Sequence, residues 1–425
     1  MSDSRIAQVI GRRVWDSRGR PTVEAEVILG SGARGRAIAP AGASRGRNEA
    51  AEHRDGGARL GGLDVRQAVA HVNGEIARAI MGRDATDQDS VDATLIALDG
   101  TEDKSRLGGN AIVAVSLATL QAAAASHGLP LYAYLLDEDE VTLPLPEIQI
   151  FGGGRHAERR VDVQDFMVAA VGAGSFDQAL EWTAEVYRAA GDLLRERGRL
   201  QGVADEGGYW PAFGSNEEAL DALVTSIERA GLVAGEEMAI SLDIAASELY
   251  RDGLYRLALD RSELDSDEMI DMLIGWLERY PIASIEDPLA EDDPDGLARF
   301  ATEVGARVQI VGDDLLVTSA ERVRWAAERG LCNAVLLKPN QAGTVSETRA
   351  ALDAARAVGW GSIVSARSGE SEDTSIVHLA VGWGVRQLKV GSFARSERMA
   401  KWNEALRIEE LAGPRARFAG AGTAE

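Results

Sequence analysis

The chain has a single cysteine, Cys332, among 425 residues, so no intrachain disulfide can form. That suits a reducing compartment, and a cytoplasmic location is expected. Positive charge is also short: 45 Lys and Arg stand against 68 Asp and Glu, a formal net charge of −23. This balance disfavours nonspecific nucleic-acid binding, and most of it reads as solvated acidic surface. The start, MSDSRIAQVI, lacks the basic and apolar regions of a signal peptide. No apolar stretch reads as long enough to span a bilayer, so no membrane partner is expected. The glycine run in FGGGRHAERR is no dinucleotide fingerprint, because no helix-opening GxGxxG is present. Short-period repeats and low-complexity segments are absent as well.

What the chain does have is a series of apolar runs that each end on a chemically active residue. They are AISLDIAAS (Asp243), ASIEDP (Glu286), VQIVGDDL (Asp313), AVLLKPNQ (Lys338), SIVSARSG (Ala366 to Ser368) and RQLKVGS (Lys389). The gaps from Asp243 are 43, 27, 25, 28 and 23 residues. A strand, a loop and a returning helix need roughly that many residues. The spacing therefore predicts parallel strands with helical returns, each presenting one group at its C-terminal end, as in a β/α barrel.

The first 137 residues read as a separate α+β domain, with the barrel over 141–425 and DEDE at 137–140 as the linker. Short apolar runs around Val9–Val14, Val23–Leu29 and Gly35–Ala39, separated by DSRGRP and GSG, predict a β-meander. Residues 64–80 and 109–128 have helical patterning. Thr318 with Glu321, and Thr344 with Glu347, both match a capping box, and the helices they open are expected to stop at Gly330 and Gly359.

Asp243, Glu286 and Asp313 form an all-oxygen set, which selects Mg²⁺ or a similar hard ion. Any one of them alone would read as a capping or surface acid. Lys338 and Lys389 each read as a salt-bridge partner, or as a base or an anchor for substrate carboxylate or phosphate. Glu206, in ADEGGYWP, lies on a tight loop that can bring a carboxyl group close to a ligand. His156 means little alone, since a lone histidine is more often structural. Arg367 and Ser368, after a strand end, make a phosphate site or a surface arginine.

Taken together, GASRG, DEGGY, SLDIAASE, SIEDPL, VGDDLLVT, LLKPNQAGT, SGESEDT and LKVGSFARSER resemble enolase over nearly the whole chain. The resemblance implies an N-terminal α+β domain, a modified β/α barrel, two Mg²⁺ ions and a homodimer. It implies that Asp243, Glu286 and Asp313 hold the first ion and Ser44 the second. Lys338 would take the C2 proton and Glu206 would protonate the departing hydroxyl, with Asp165 and His156 in the same catalytic group. Lys389, Arg367, Ser368 and Asp314 would contact a small phosphorus-containing anion. A lysine base with one or two Mg²⁺ ions is the general pattern of enolase-superfamily sites.

The departures gather in that presumed site. SHRSGET reads SARSGES, so Ala366 replaces a histidine, and QEFM reads QDFM, so Asp165 replaces a glutamate. The usual asparagines of the INGG segment become Gln149 and Gly152, a threonine becomes Arg45, and Arg155, Arg159 and Arg160 enter the second loop. These changes open volume and add cationic forks suited to carboxylate or phosphate. They point to a larger, more anionic substrate. One enolase relative, in phosphinate antibiotic biosynthesis, makes carboxyphosphoenolpyruvate and fits that direction. An ordinary enolase converting 2-phosphoglycerate, and a noncatalytic scaffold on the same fold, are the alternatives. Racemase-type relatives are disfavoured, since no lysine pair precedes Asp243.

Overall fold

A computed structural model describes residues 3–43, 45–136, 139–158 and 160–420. The N-terminal part opens with an antiparallel meander of β1 (Ile6–Trp15), β2 (Pro21–Leu29) and β3 (Arg34–Ile38). The first turn closes because Asp16 Oδ1 accepts from the N–H groups of Arg18 and Arg20 at 2.9 and 2.8 Å. Gly19 takes a left-handed φ of 69° there, a conformation that glycine adopts without strain. The helical run expected over 64–80 is divided into Arg66–His71, a π-helical turn Val72–Ile76, and Ala77–Ile80. At the turn, Asn73 exchanges two 2.9 Å hydrogen bonds with the backbone of Gly11 on β1.

Helix α1 (Gly109–Ser126) packs on β2 and β3. The expectation that no apolar stretch reaches membrane-spanning length needs correction here. This helix is long and apolar enough by composition, and 83% of it is buried inside the fold. Its apolar character on every side is that of a core helix covered by sheet and neighbouring helices.

The rest of the chain forms a closed eight-stranded barrel with an outer layer of helices. Its strands are β4 (Leu145–Gly152), β5 (Asp165–Ala169), β6 (Ala239–Asp243), β7 (Ile282–Glu286), β8 (Gln309–Gly312), β9 (Ala334–Leu337), β10 (Gly361–Ser365) and β11 (Gln387–Ser392). The last pairs with the first and closes the ring. Strands β6 to β11 run parallel, each separated from the next by helix, as the even spacing predicts. Strand β5 departs from that regularity and runs antiparallel to both β4 and β6. Two long helices, Phe176–Glu196 and Asn216–Arg229, fill the interval before β6. Both open on serine caps, where Ser175 and Ser215 accept from the third residue on.

The two expected capping boxes part company. Thr344 caps Val345–Ala357 and accepts from Glu347 N at 3.2 Å. The other helix, Ala320–Arg329, is capped one residue later than expected, by Ser319. Thr318 instead sits at a left-handed φ of 55°, and its hydroxyl serves the strand-end residues described below. Gly330 and Gly359 follow their helices in left-handed conformation, at φ 64° and 73°.

The N-terminal part sits over the mouth of the barrel. Ala41 and Gly369 exchange two 2.9 Å backbone hydrogen bonds, and Ser17 N donates to Glu370 O at 2.7 Å.

Candidate active site

Three neighbouring strands place carboxylates side by side. Asp165 pairs in register with Asp243, and Asp243 with Glu286. The reversal of β5 explains Asp165, because the first residue of an antiparallel strand lies at the same end as the last residues of its parallel neighbours. All three are almost fully enclosed. Lys389 reaches this row from β11, with Nζ 2.7 Å from Glu286 Oε2, 3.0 Å from Asp243 Oδ2 and 3.5 Å from Asp165 Oδ2.

Asp313 follows β8 and Lys338 follows β9. Lys338 Nζ donates to Asp313 Oδ2 at 2.5 Å, while Gln341 Nε2 donates to Asp313 Oδ1 at 2.8 Å. Burial works to lower the Lys338 pKa, but the Asp313 carboxylate outweighs it and the pKa is raised. Of the two readings that the sequence left open, salt-bridge partner or base with a lowered pKa, this arrangement displays the first. Thr318 Oγ1 accepts from Lys338 N at 2.9 Å and donates to Gln341 Oε1 at 2.6 Å.

Asp287 Oδ1 and Oδ2 accept from the backbone N–H groups of Asp313 and Asp314, both at 2.9 Å. Its pKa is pushed up to about 8, by burial and then by the charge of Asp313. Asp314 is raised well above the carboxylate range by burial and the charge of Asp287.

Glu206 lies between two short strands, Leu200–Val203 and Tyr209–Pro211. Its loop is fixed to the barrel where Ser392 N donates to Glu206 O at 2.9 Å. The next residue, Gly207, has φ 96°, and a Cβ there would lie 2.6 Å from Ala394 O, so the loop needs glycine. His156 Nδ1 is 2.9 Å from Asp165 Oδ1, and its Nε2 is 3.7 Å from Glu206 Oε1. Burial opposes its charged form, but Asp165 and Glu206 outweigh burial and push its pKa up to about 9.

Arg367 is buried and bidentate to Glu49 of the N-terminal part, at 3.0 and 3.1 Å. Ser368 Oγ accepts from Ala43 N at 3.0 Å. Arg155 Nη1 donates to Ala43 O at 3.1 Å while its Nε lies 2.7 Å from Glu248, so one residue of the first loop is held from both sides. Arg45 lies 3.8 Å from Glu49 and donates to Ala50 O at 3.2 Å. Arg160 is exposed. Ser44 and Arg159 lie outside the described residues. Ala366 is buried after β10, and its N–H donates to Lys389 O at 2.8 Å.

Whether this set suits a metal is decided by its chemistry. Buried carboxylates outnumber the cations among them, and burial followed by the charge of Asp243 raises the Glu286 pKa well above normal. Glu286 Oε1 is buried with no hydrogen-bond partner among the described residues. An all-oxygen site with an unused buried oxygen and unbalanced negative charge fits a hard divalent cation. The ligand atoms of Asp287, Asp313 and Asp314 lie within 4.8 Å of one another, as do those of His156, Asp165 and Glu206. Of the expected ligands, Asp243 and Glu286 share Lys389, and Asp313 holds Lys338.

Residues 140–425 match the family described as Enolase, C-terminal TIM barrel domain, and residues 6–135 match Enolase, N-terminal domain. The chain belongs to the enolase family. Family membership supports a magnesium-dependent lyase of the enolase superfamily that acts on a small phosphorylated substrate.

Several residues of this enolase-family site escaped the sequence reading. Asp287 directly follows Glu286, and Gln341 follows Lys338 by three, so proximity to a strand end was an available signal. Gln164 Nε2 donates to Asp243 Oδ2 at 3.0 Å, one residue before Asp165. Glu49 gave no signal, since it comes from an irregular loop of the other part of the chain.

Proposed function

We propose that this enolase-family protein eliminates water from a 2-phosphoglycerate-type substrate that is larger and more anionic than 2-phosphoglycerate. A glycerate with an added carboxylate on phosphorus, giving carboxyphosphoenolpyruvate, is the preferred form. The observation that carries this reading is that Glu206, Lys338 and Lys389 lie among the buried carboxylates of one barrel end, with the methyl group of Ala366 buried where the family has a histidine. Loss of an active-site histidine from an enzyme with an unchanged substrate should cost orders of magnitude in rate.

In this mechanism Lys338 removes the C2 proton. Its ionised pair with Asp313 must first be relaxed, because an ammonium cannot accept a proton. Glu206 donates a proton to the departing C3 hydroxyl, with His156 beside it and Asp165 orienting the imidazole. Lys389 neutralises the substrate carboxylate. Arg367 and Ser368 hold the phosphorus group, with Asp314 close by. Arg45, Arg155 and Arg160 add positive charge on the two loops, and Arg159 would add its own. Asp243, Glu286 and Asp313 would hold one Mg²⁺ and Ser44 would contact a second. Bound Mg²⁺ supplies positive charge where negative charge builds on the substrate carboxylate. A homodimer is the assembly that the family suggests.

The test is turnover of both glycerates with Mg²⁺, alongside a folded Lys338→Ala control. Preference for the phosphorus-carboxylated substrate, lost in the control, supports the reading. Ordinary enolase turnover on 2-phosphoglycerate rejects the shift in substrate. Absence of turnover on either, with Mg²⁺ bound, favours the scaffold reading.

A further inference from the structure

Glu49 is a buried carboxylate that the proposed elimination leaves without a role. It comes from the irregular segment after β3 and is 5% exposed. Its Oε2 accepts from Arg367 Nη1 at 3.0 Å and its Oε1 from Arg367 Nη2 at 3.1 Å. Oε1 also accepts from Gly46 N at 3.1 Å and from Gln341 Nε2 at 3.2 Å. The same Gln341 amide group gives a second bond, to Asp313 Oδ1 at 2.8 Å. Arg367 Nη1 reaches Asn340 Oδ1 as well, at 3.1 Å. Burial works against the Arg367 charge, but the Glu49 carboxylate outweighs it and the pKa is raised. Glu49 thus joins the proposed anchor of the phosphorus group to the acid that pairs with Lys338.

This is more than a contact that docks the N-terminal part on the barrel. Docking is also served elsewhere, where Lys104 Nζ lies 2.9 Å from Glu347 and Ser346 Oγ donates to Asp92 Oδ2 at 2.8 Å. Glu49 spends both oxygens on one guanidinium, a bidentate geometry that fixes the plane of the group as well as its place. An anion that displaced Glu49 would strip Gly46 N and Gln341 Nε2 of an acceptor inside a buried site, which favours a pair that stays made.

We propose that Glu49 is a positioning residue for Arg367. Its carboxylate holds the guanidinium oriented before the phosphorus group arrives, so that no long side chain has to be ordered on binding. This role rests on Arg367 being the phosphorus anchor of the proposed lyase.

Calorimetric titration of the full chain with inorganic phosphate tests it, with circular dichroism to show that each variant is folded. Glu49→Gln keeps the shape but turns an amide N–H toward the site, and should weaken phosphate about fivefold. Glu49→Asp keeps the charge one methylene short and should fall between Glu49→Gln and the native protein. For whichever glycerate is turned over, KM should rise about fivefold in Glu49→Gln with kcat little changed. Arg367→Gln should abolish phosphate binding. Phosphate binding that is unchanged or tighter in Glu49→Gln overturns the role, since removal of a negative charge alone would tighten an anion. A fall in kcat with KM unchanged does the same. If binding is still lost in Arg367→Gln, the lyase reading stands in either case. Should Glu49→Gln fail to fold, native-like binding in Glu49→Asp overturns the role instead. Phosphate binding that survives in Arg367→Gln, or is absent from the native protein, removes the anchor itself and with it the role of Glu49.

Discussion

Thr318 accepts a hydrogen bond from the backbone N–H of Lys338 at 2.9 Å, and does so from a left-handed backbone at φ 55°. A β-branched residue is rarely found in that conformation, which costs on the order of 1–3 kcal/mol. Val317, just before it, is also left-handed, at φ 42°. The strained pair holds a hydroxyl against the strand end that carries the proposed base. Thr318→Ala should lower kcat about tenfold with KM little changed, in line with one lost hydrogen bond of about 1.4 kcal/mol. Thr318→Ser keeps the hydroxyl and should recover most of that loss. Equal defects in the two variants would mean that the hydroxyl has no positioning role.

Glu286 supplies the second test. Its Oε1 is buried with no hydrogen-bond partner among the described residues, and Glu286 lies next to Asp243 in register. Mg²⁺ should raise the melting temperature of the native protein, by the equivalent of about 2.7 kcal/mol at a hundredfold excess over Kd. Glu286→Gln should remove most of that rise, read by calorimetry with and without chelator. An undiminished rise in the variant would exclude Glu286 as a ligand.

The His156 and Asp165 pair predicts a dependence on pH. The folded imidazole has its pKa raised from 6.5 to about 9. A raised pKa means the folded state holds the proton more tightly than the unfolded chain. The resulting stability is fully present below about pH 6.5 and is lost as pH rises through about 9. The largest loss is about 3 kcal/mol. Urea midpoints measured from pH 6 upward should fall in the native protein and fall less in His156→Gln. Parallel curves for the two would rule out this pair as the cause.

Ala366 gives the specificity test. It is buried after β10, with its N–H held by Lys389 O. Ala366→His should raise turnover of 2-phosphoglycerate at least about tenfold and depress that of the phosphorus-carboxylated substrate, because the imidazole occupies the space an added group would need. Unchanged selectivity would detach the substrate from this position.

The parallel part of the barrel was legible because each of its strands is an apolar run closed by one polar residue at a regular interval. That pattern follows from burial on both faces and a functional group at one end. Strand β5 was hidden because a short buried run has the same composition in either direction. The cap at Thr318 was misplaced for a related reason. Thr318 and Ser319 both suit a helix start, and the choice between them was made by Lys338 and Gln341, contacts that local sequence does not carry. Glu49 was invisible for the same reason at longer range, since it meets Arg367 across 318 positions of chain.

The reversed direction of β5 also bears on how this mouth can change. Among the described residues, the segment between β4 and β5 carries the short 3-10 turn Gly154–Ala157 and no outer helix. Residues added to it or taken from it alter the lip of the opening and leave every surrounding helix in its seat. Arg155 and His156 ride on that segment, so this is the place where the chain can acquire a new appetite without refolding its frame.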